Sequence, residues 1–259
     1  MALARLVSIM KSHLKSLAHR DRTETSDRHL AFYLTFIAGA ANAGGFMAVG
    51  QYTSHMSGIV SSMADNLVLG DLKLLMMGLL ALCFFLAGAG FSAILINWGR
   101  RRDLRSVYAL PLAVEAWLMG VFALSGAINF SEKGEAVAFV VMLLCFIMGL
   151  QNAIITKLSG ARIRTTHVTG LVTDTGIELG KLLYWNGYSN GKVTYPPVRA
   201  DLAKLWLLVR MVGLFFGGGV VGAILFQRIG VSAAAFLAIP LALAALYPML
   251  EDYSSQKQR

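Results

Sequence analysis

Two histidines, His55 and His167, stand in near-identical company in the two halves of the chain. The first is set in Thr53-Ser54-His55-Met56-Ser57-Gly58 and the second in Thr165-Thr166-His167-Val168-Thr169-Gly170. Imidazole titrates near neutral pH and can carry protons. The hydroxyls suit the opening of a helix, where free N–H groups and the positive dipole end attract anions or carboxylates. The same residues can also act without a ligand, Ser57 and Thr169 as plain N-caps and the histidines as hydrogen-bonded helix-end side chains. Thr175 and Glu178 match a capping box, which would start the second helix later.

A second duplication precedes the first. Phe36-Ile37-Ala38-Gly39-Ala40-Ala41-Asn42-Ala43 recurs as Phe146-Ile147-Met148-Gly149-Leu150-Gln151-Asn152-Ala153. Asn42 and Asn152 therefore lie inside apolar runs, where an amide binds solute or hydrogen-bonds between helices. Glu115, in Leu112-Ala113-Val114-Glu115-Ala116-Trp117, is an acid in such a run. An ionisable group there is costly and marks a functional position or a buried pair. Arg210 is its candidate partner, although it can equally snorkel to the interface. The expected site thus joins Asn42, Thr53, His55, Ser57, Asn152, Thr165, His167 and Thr169 around a solute, with Glu115 and Arg210 in coupling. Asp65, Asp174 and Glu178 are further proton or cation candidates, unmatched across the repeat. No carboxylate–histidine cluster at ligand spacing occurs, so neither a metal nor a cofactor is expected. No phosphate loop, dinucleotide fingerprint or nucleophile elbow occurs either, which disfavours an enzyme.

The elements that must hold these residues are set by composition. The chain is 56% hydrophobic and 14% charged, with 26 Gly in 259 residues; a soluble domain carries roughly 25% charged residues. Apolar runs cover about 31–50, 72–98, 107–130, 136–155, 204–226 and 231–247. Each approaches the roughly 20 residues that cross a bilayer as a helix, and helices are the plausible form for such runs in lipid. The fold class expected is all-α, a polytopic membrane protein. Cys83 and Cys145 lie in apolar runs and are read as small hydrophobes rather than a disulfide or metal pair.

Positive loops stay cytoplasmic. Arginine and lysine gather before the first run, at Arg100–Arg105 after the second, and between Lys157 and Arg199 after the fourth. Both termini are therefore expected in the cytoplasm of a multi-pass protein. The net charge of +9 reads as this topological signal plus attraction to anionic lipid heads, with no nucleic-acid partner. Residues 1–30 form a basic segment with apolar residues at helical spacing, suited to lying on the cytoplasmic leaflet; a transit peptide is the lesser reading.

The duplication extends to Phe84-Phe85 with Gly88-Ala89-Gly90 and Phe215-Phe216 with Gly217-Gly218-Gly219. Runs one to three then match runs four to six. Three is odd, so the halves enter from opposite sides as a 3+3 inverted repeat, over 31–130 and 136–250, with a tail at 251–259. The pieces at 58–69 and 170–185 follow the first run of each half. The twelve residues of the first reach about 18 Å as helix, short of a roughly 30 Å core, and the second carries Asp174, Glu178 and Lys181, so both are expected as short extra helices. The glycine runs of the second and fifth spans are expected to pack helices closely. Gly39, Gly44, Gly45 and Gly50 are open to a second reading, an unwound stretch exposing backbone to solute.

On the doubled Gly-x-x-Asn-Ala and Thr-x-His-x-(Ser/Thr)-Gly elements and the small-residue second and fifth spans, the chain over about 30–247 resembles the YoaK family of bacterial membrane proteins, a domain of unknown function. The resemblance implies a six-span protein of the bacterial inner membrane and supplies no substrate. The function expected is a secondary transporter or channel for a small solute, an anion being one candidate, with its site between the repeats. The alternative is a non-transport scaffold or sensor. A polar cavity between the two motifs favours the first and a dry, glycine-packed seam the second. The lipid bilayer is the expected partner, and a monomer and a homo-oligomer are both compatible with the glycine-rich spans.

Overall fold

The computed structural model describes residues 24–104, 106–125, 134–158, 168–186 and 196–256. These form helices and short connections, with no strand among the described residues. In chain order they are α1 (Glu24–Val49), α2 (Met56–Leu69), α3 (Leu72–Arg101), α4 (Ala109–Ser125), α5 (Gly134–Leu158), α6 (Val168–Leu183), α7 (Leu202–Ile229) and α8 (Ala234–Gln256). A 3₁₀ turn, Gly230–Ala233, joins the last two.

Among the described residues, four stretches are long and apolar enough to cross a membrane: Arg28–Val49, Leu72–Arg101, Val137–Lys157 and Leu202–Leu250. The last is 49 residues long and runs through α7 into α8, with Gly230 at φ 63 turning the chain between them. Helix α4 is apolar but only 17 residues long. The chain is a membrane-embedded helical protein. Most of its bounds depart only at the ends from the runs read in the sequence. Helix α1 starts inside the segment assigned to residues 1–30, and α8 continues into the 251–259 tail as far as Gln256. The basic segment at residues 1–23 lies outside the described residues.

Helix pairing repeats itself. α1 packs along α7, α3 along α5, and α4 along α8, while α2 leans on α3 and α6 on α7. Glycine sets the first two pairings. A Cβ built on Gly39 would fall on the Phe215 carbonyl, and one on Gly218 on the Phe36 carbonyl. On the other pair, a Cβ on Gly149 would fall on the Phe85 carbonyl and one on Gly88 on the Phe146 carbonyl. Equivalent positions of the duplicated strings thus make equivalent contacts. Lipid supplies no hydrophobic drive between helices, so this approach of bare backbones is the source of van der Waals attraction. Gly39 therefore packs a regular helix rather than opening it. Gly44 faces the Phe226 ring, and Gly50 ends α1 at φ 69.

The main core lies where α1, α4, α5 and α8 meet, built from Leu34, Leu112, Met119, Leu144, Ile147 and Leu241. Asp71 and Asp201 cap α3 and α7, each accepting from the backbone N–H three residues on, at 3.0 and 2.9 Å.

One polar knot ties α6 to α7. The buried Glu178 carboxylate accepts from Lys181 Nζ and from the Asp201 N–H, both at 2.9 Å, with Lys204 Nζ at 3.7 Å. The capping-box reading is thereby corrected. α6 is continuous from Val168, and Thr175 Oγ1 donates back to the Leu171 carbonyl at 2.7 Å. The Lys181 bond and the Asp201 amide hold the Glu178 carboxyl below its ordinary range. A depressed folded value means stability that is present above the ordinary carboxylate pKa of about 4.3 and is lost as pH falls through the lower one. Glu178→Gln is accordingly expected to melt below wild type at neutral pH, the gap closing with acidification. A melting difference that stays constant down to pH ~3 would remove the carboxylate from this account.

Candidate functional site

Asn42 sits late in α1, and the chain returns to it after the loop. Its Oδ1 accepts from the Ser54 hydroxyl at 2.8 Å and the Ser54 N–H at 3.4 Å. The two duplicated elements of the first half are thus bonded to each other. This clasp fixes where α2 begins. His55 is its N-cap residue, with φ −91 and ψ 69 and no side-chain capping bond. The imidazole lies over Gly58, where a Cβ would meet the ring. Ser57 is therefore in the first turn of α2 and is not its cap, and Thr169 likewise follows the start of α6 at Val168.

A cavity of about 1060 Å³ opens at this point. Its wall draws on both halves: Asn42 from α1, Ser54, His55 and Ser57 around the start of α2, and Asn152, Thr156 and Lys157 from α5. Thr169 of α6 closes the polar side, while Phe85, Ala89 and Ala93 of α3 and Phe215 of α7 form an apolar side. Among the described residues of the wall there is one ammonium and no carboxylate. The wall therefore suits a small solute with a negative or hydrogen-bond-accepting end and an apolar body.

A smaller cavity of about 360 Å³ lies between α2 and α3, lined by Gln51, Ser62 and Asn66 among others. Tyr52 and His55 line both cavities. Tyr52 is stacked on Phe46 with ring centroids 4.6 Å apart.

Of the residues expected around a solute, Asn42, His55, Ser57, Asn152 and Thr169 line the large cavity. Thr53 does not: it is fully buried beside Gly45, its hydroxyl unpartnered. Thr165 and His167 lie outside the described residues. Glu115 and Arg210 are not brought together. Glu115 is buried in α4 without a hydrogen bond, whereas Arg210 is exposed on α7 with its guanidinium 6.0 Å from the Trp206 ring. Asp174 pairs with Lys204 at 3.5 Å, away from the cavity, and Asp65 is exposed.

Sequence reasoning passed over Tyr52, Ser54, Thr156 and Lys157. The last two carried a usable signal. Thr156 is four residues after Asn152, and Lys157 four after Ala153, so all four share one flank of α5. No group of three or more metal-ligating side chains occurs among the described residues.

The family model that matches the chain, over residues 30–247, is described as a protein of unknown function (DUF1275). Neither a curated protein nor a solved structure matches it.

Proposed function

The chain belongs to the DUF1275 family, and from that premise we propose a secondary transporter of small organic anions, working through the cavity between its two halves. The single observation that supports it is the wall of that cavity. Residues of both duplicated elements converge on one space, with Lys157 as its charge, amides and hydroxyls beside it, and phenylalanine and alanine opposite. Solute sites at the meeting of repeats are the common design of secondary transporters.

The finer architecture belongs to the same proposal. Six spans form a 3+3 inverted repeat, with α2 and α6 as the short extra helices and both termini cytoplasmic, in a bacterial inner membrane as the YoaK resemblance implies. The reciprocal glycine contacts of α1 with α7 and α3 with α5 favour it. The smaller cavity serves as an outer vestibule, and Tyr52 with His55 divides it from the site. The same glycine seams are the observation that favours the other reading, a rigid scaffold or sensor without flux.

Proteoliposomes containing the purified protein, tested with labelled small carboxylates and sulfonates, separate the two. Uptake above empty vesicles is expected, and His55→Ala/His167→Ala is expected to lower it at least tenfold. Wild-type-like flux in the double variant would remove the histidines from the site while leaving transport standing. Absence of flux in wild type across the panel would remove transport.

A further inference from the structure

Where α1, α4 and α5 meet, the apolar core contains an acid that the cavity does not use. Glu115 is 0% exposed, and so is Gln151, which faces it from α5. Neither carboxyl oxygen closes a hydrogen bond of good geometry, Gln151 Oε1 has no partner, and the Tyr33 hydroxyl from α1 is also unpartnered. Gln151 Nε2 donates to the Leu34 carbonyl at 3.5 Å. Because a carbonyl can only accept, that bond assigns Nε2 to the Leu34 side and leaves Oε1 as the amide atom without a partner.

We infer that Glu115 and Gln151 form a proton-binding site, with one exchangeable proton held between a Glu115 carboxyl oxygen and Gln151 Oε1. Buried polar atoms find partners almost without exception, and here a single proton partners two of the orphans at once. An ionised Glu115 would instead be a buried charge with no cation paired to it among the described residues, a costly arrangement. Among the described residues, the titratable groups on the elements packed around Glu115 are few. Tyr33 is the titratable group facing Glu115 from α1. Arg28 and His29 lie at the start of that helix, and Cys145 of α5 packs with Ile59 and Ala81 instead. Arg100 is engaged with Tyr108 at 3.5 Å, before α4 begins. The 3₁₀ turn and α8, packed on α4, contribute no titratable residue between 230 and 246.

Asn152, the residue after Gln151, lines the large cavity. On release the proton passes to water admitted from that side. Gln151 then turns its amide so that Nε2 donates to the carboxylate, and the Leu34 carbonyl gives up its bond. Under the transport reading, on which this last point rests, the proton is the coupling ion. The binding site itself needs no solute.

The test is infrared difference spectroscopy on the full-length protein in lipid nanodiscs, wild type against Glu115→Gln. A carbonyl stretch of a protonated carboxylic acid is expected at neutral pH in wild type and lost in the variant. It is expected to shift in D₂O, to fade on raising the pH, and to move in frequency in Gln151→Leu, where the acceptor is gone. If Glu115→Gln does not fold, Gln151→Leu and the D₂O shift still report on the site. A wild-type spectrum without that band overturns the inference, as does a band indifferent to both D₂O and pH. Failure of carboxylate uptake in proteoliposomes, with the band present, strikes the transport reading and leaves the proton site standing.

Discussion

Replacing Gly149 with valine is expected to leave almost no folded protein. The added Cβ would stand on the Phe85 carbonyl of α3, and backbone cannot move aside as a flexible side chain can. Overpacking a close-packed interior typically costs about 1–3 kcal/mol, occasionally more, and here the strain spreads along the whole α3–α5 seam. Valine adds two further methyls to that clash. Total stability is only on the order of 5–15 kcal/mol, so a clash of backbone with backbone, above the typical overpacking cost, takes a large share of it. Gly39→Val, Gly88→Val and Gly218→Val are expected to behave alike, because each meets the backbone carbonyl of an equivalent phenylalanine. Gly90→Ala and Gly120→Ala are the controls, as nothing lies within 4 Å of a Cβ at either position. Size-exclusion recovery and thermal aggregation of fluorescently tagged protein read the difference. Normal recovery of Gly149→Val would mean that α3 and α5 are not seated on this contact.

Lys157→Ala is expected to weaken uptake of a small carboxylate roughly tenfold or more in apparent affinity, leaving the fold intact. The lysine is the single cation in the described wall of the large cavity, and a charge-assisted hydrogen bond to an anion is worth about 1.5–3 kcal/mol. Because its side chain is exposed to the cavity opening, the lower part of that range applies, and about 1.4 kcal/mol is a factor of ten. Lys157→Glu is expected to abolish uptake by placing a like charge against the solute, while Lys157→Arg retains most of it. Concentration-dependent uptake into proteoliposomes, at two ionic strengths, checks all three. Equal affinity in wild type and Lys157→Ala would show that the solute does not depend on this charge and would turn attention to neutral substrates.

Much of the cavity's polar wall was legible in the chain because duplication is a property of residue order. Asn42, His55, Ser57, Asn152 and Thr169 were found by matching two strings, and they meet at one cavity. Thr53 was named by the same match, yet its side chain turns into protein beside Gly45. Neighbouring positions on one motif face different ways, and no string comparison reports which. Arg210 was chosen for Glu115 on charge and depth alone. Its helix turns it outward against Trp206, while the acid meets Gln151. A signal for that meeting was present. At the position where the first half has the buried Ala41, the second has Gln151, and Glu115 has no acidic counterpart between residues 234 and 250. Two departures from the repeat fall on touching residues.

The capping-box match of Thr175 and Glu178 failed for a related reason. The pattern describes local hydrogen bonds, but Glu178 has stronger partners on α7 and at Lys181. With that carboxylate engaged elsewhere, the helix simply starts earlier.

What the sequence determined by itself is the class of protein and the existence of two related halves. Apolar run length decides whether a segment enters lipid, since each residue adds its own transfer energy and the backbone must satisfy itself within the helix. That sum needs no knowledge of neighbours. The tertiary structure alone decided which glycines touch backbone, which acid is left unpaired and which lysine faces the cavity. Those outcomes depend on the rotation of each helix about its axis and on the helix set against it, which are relations between distant segments.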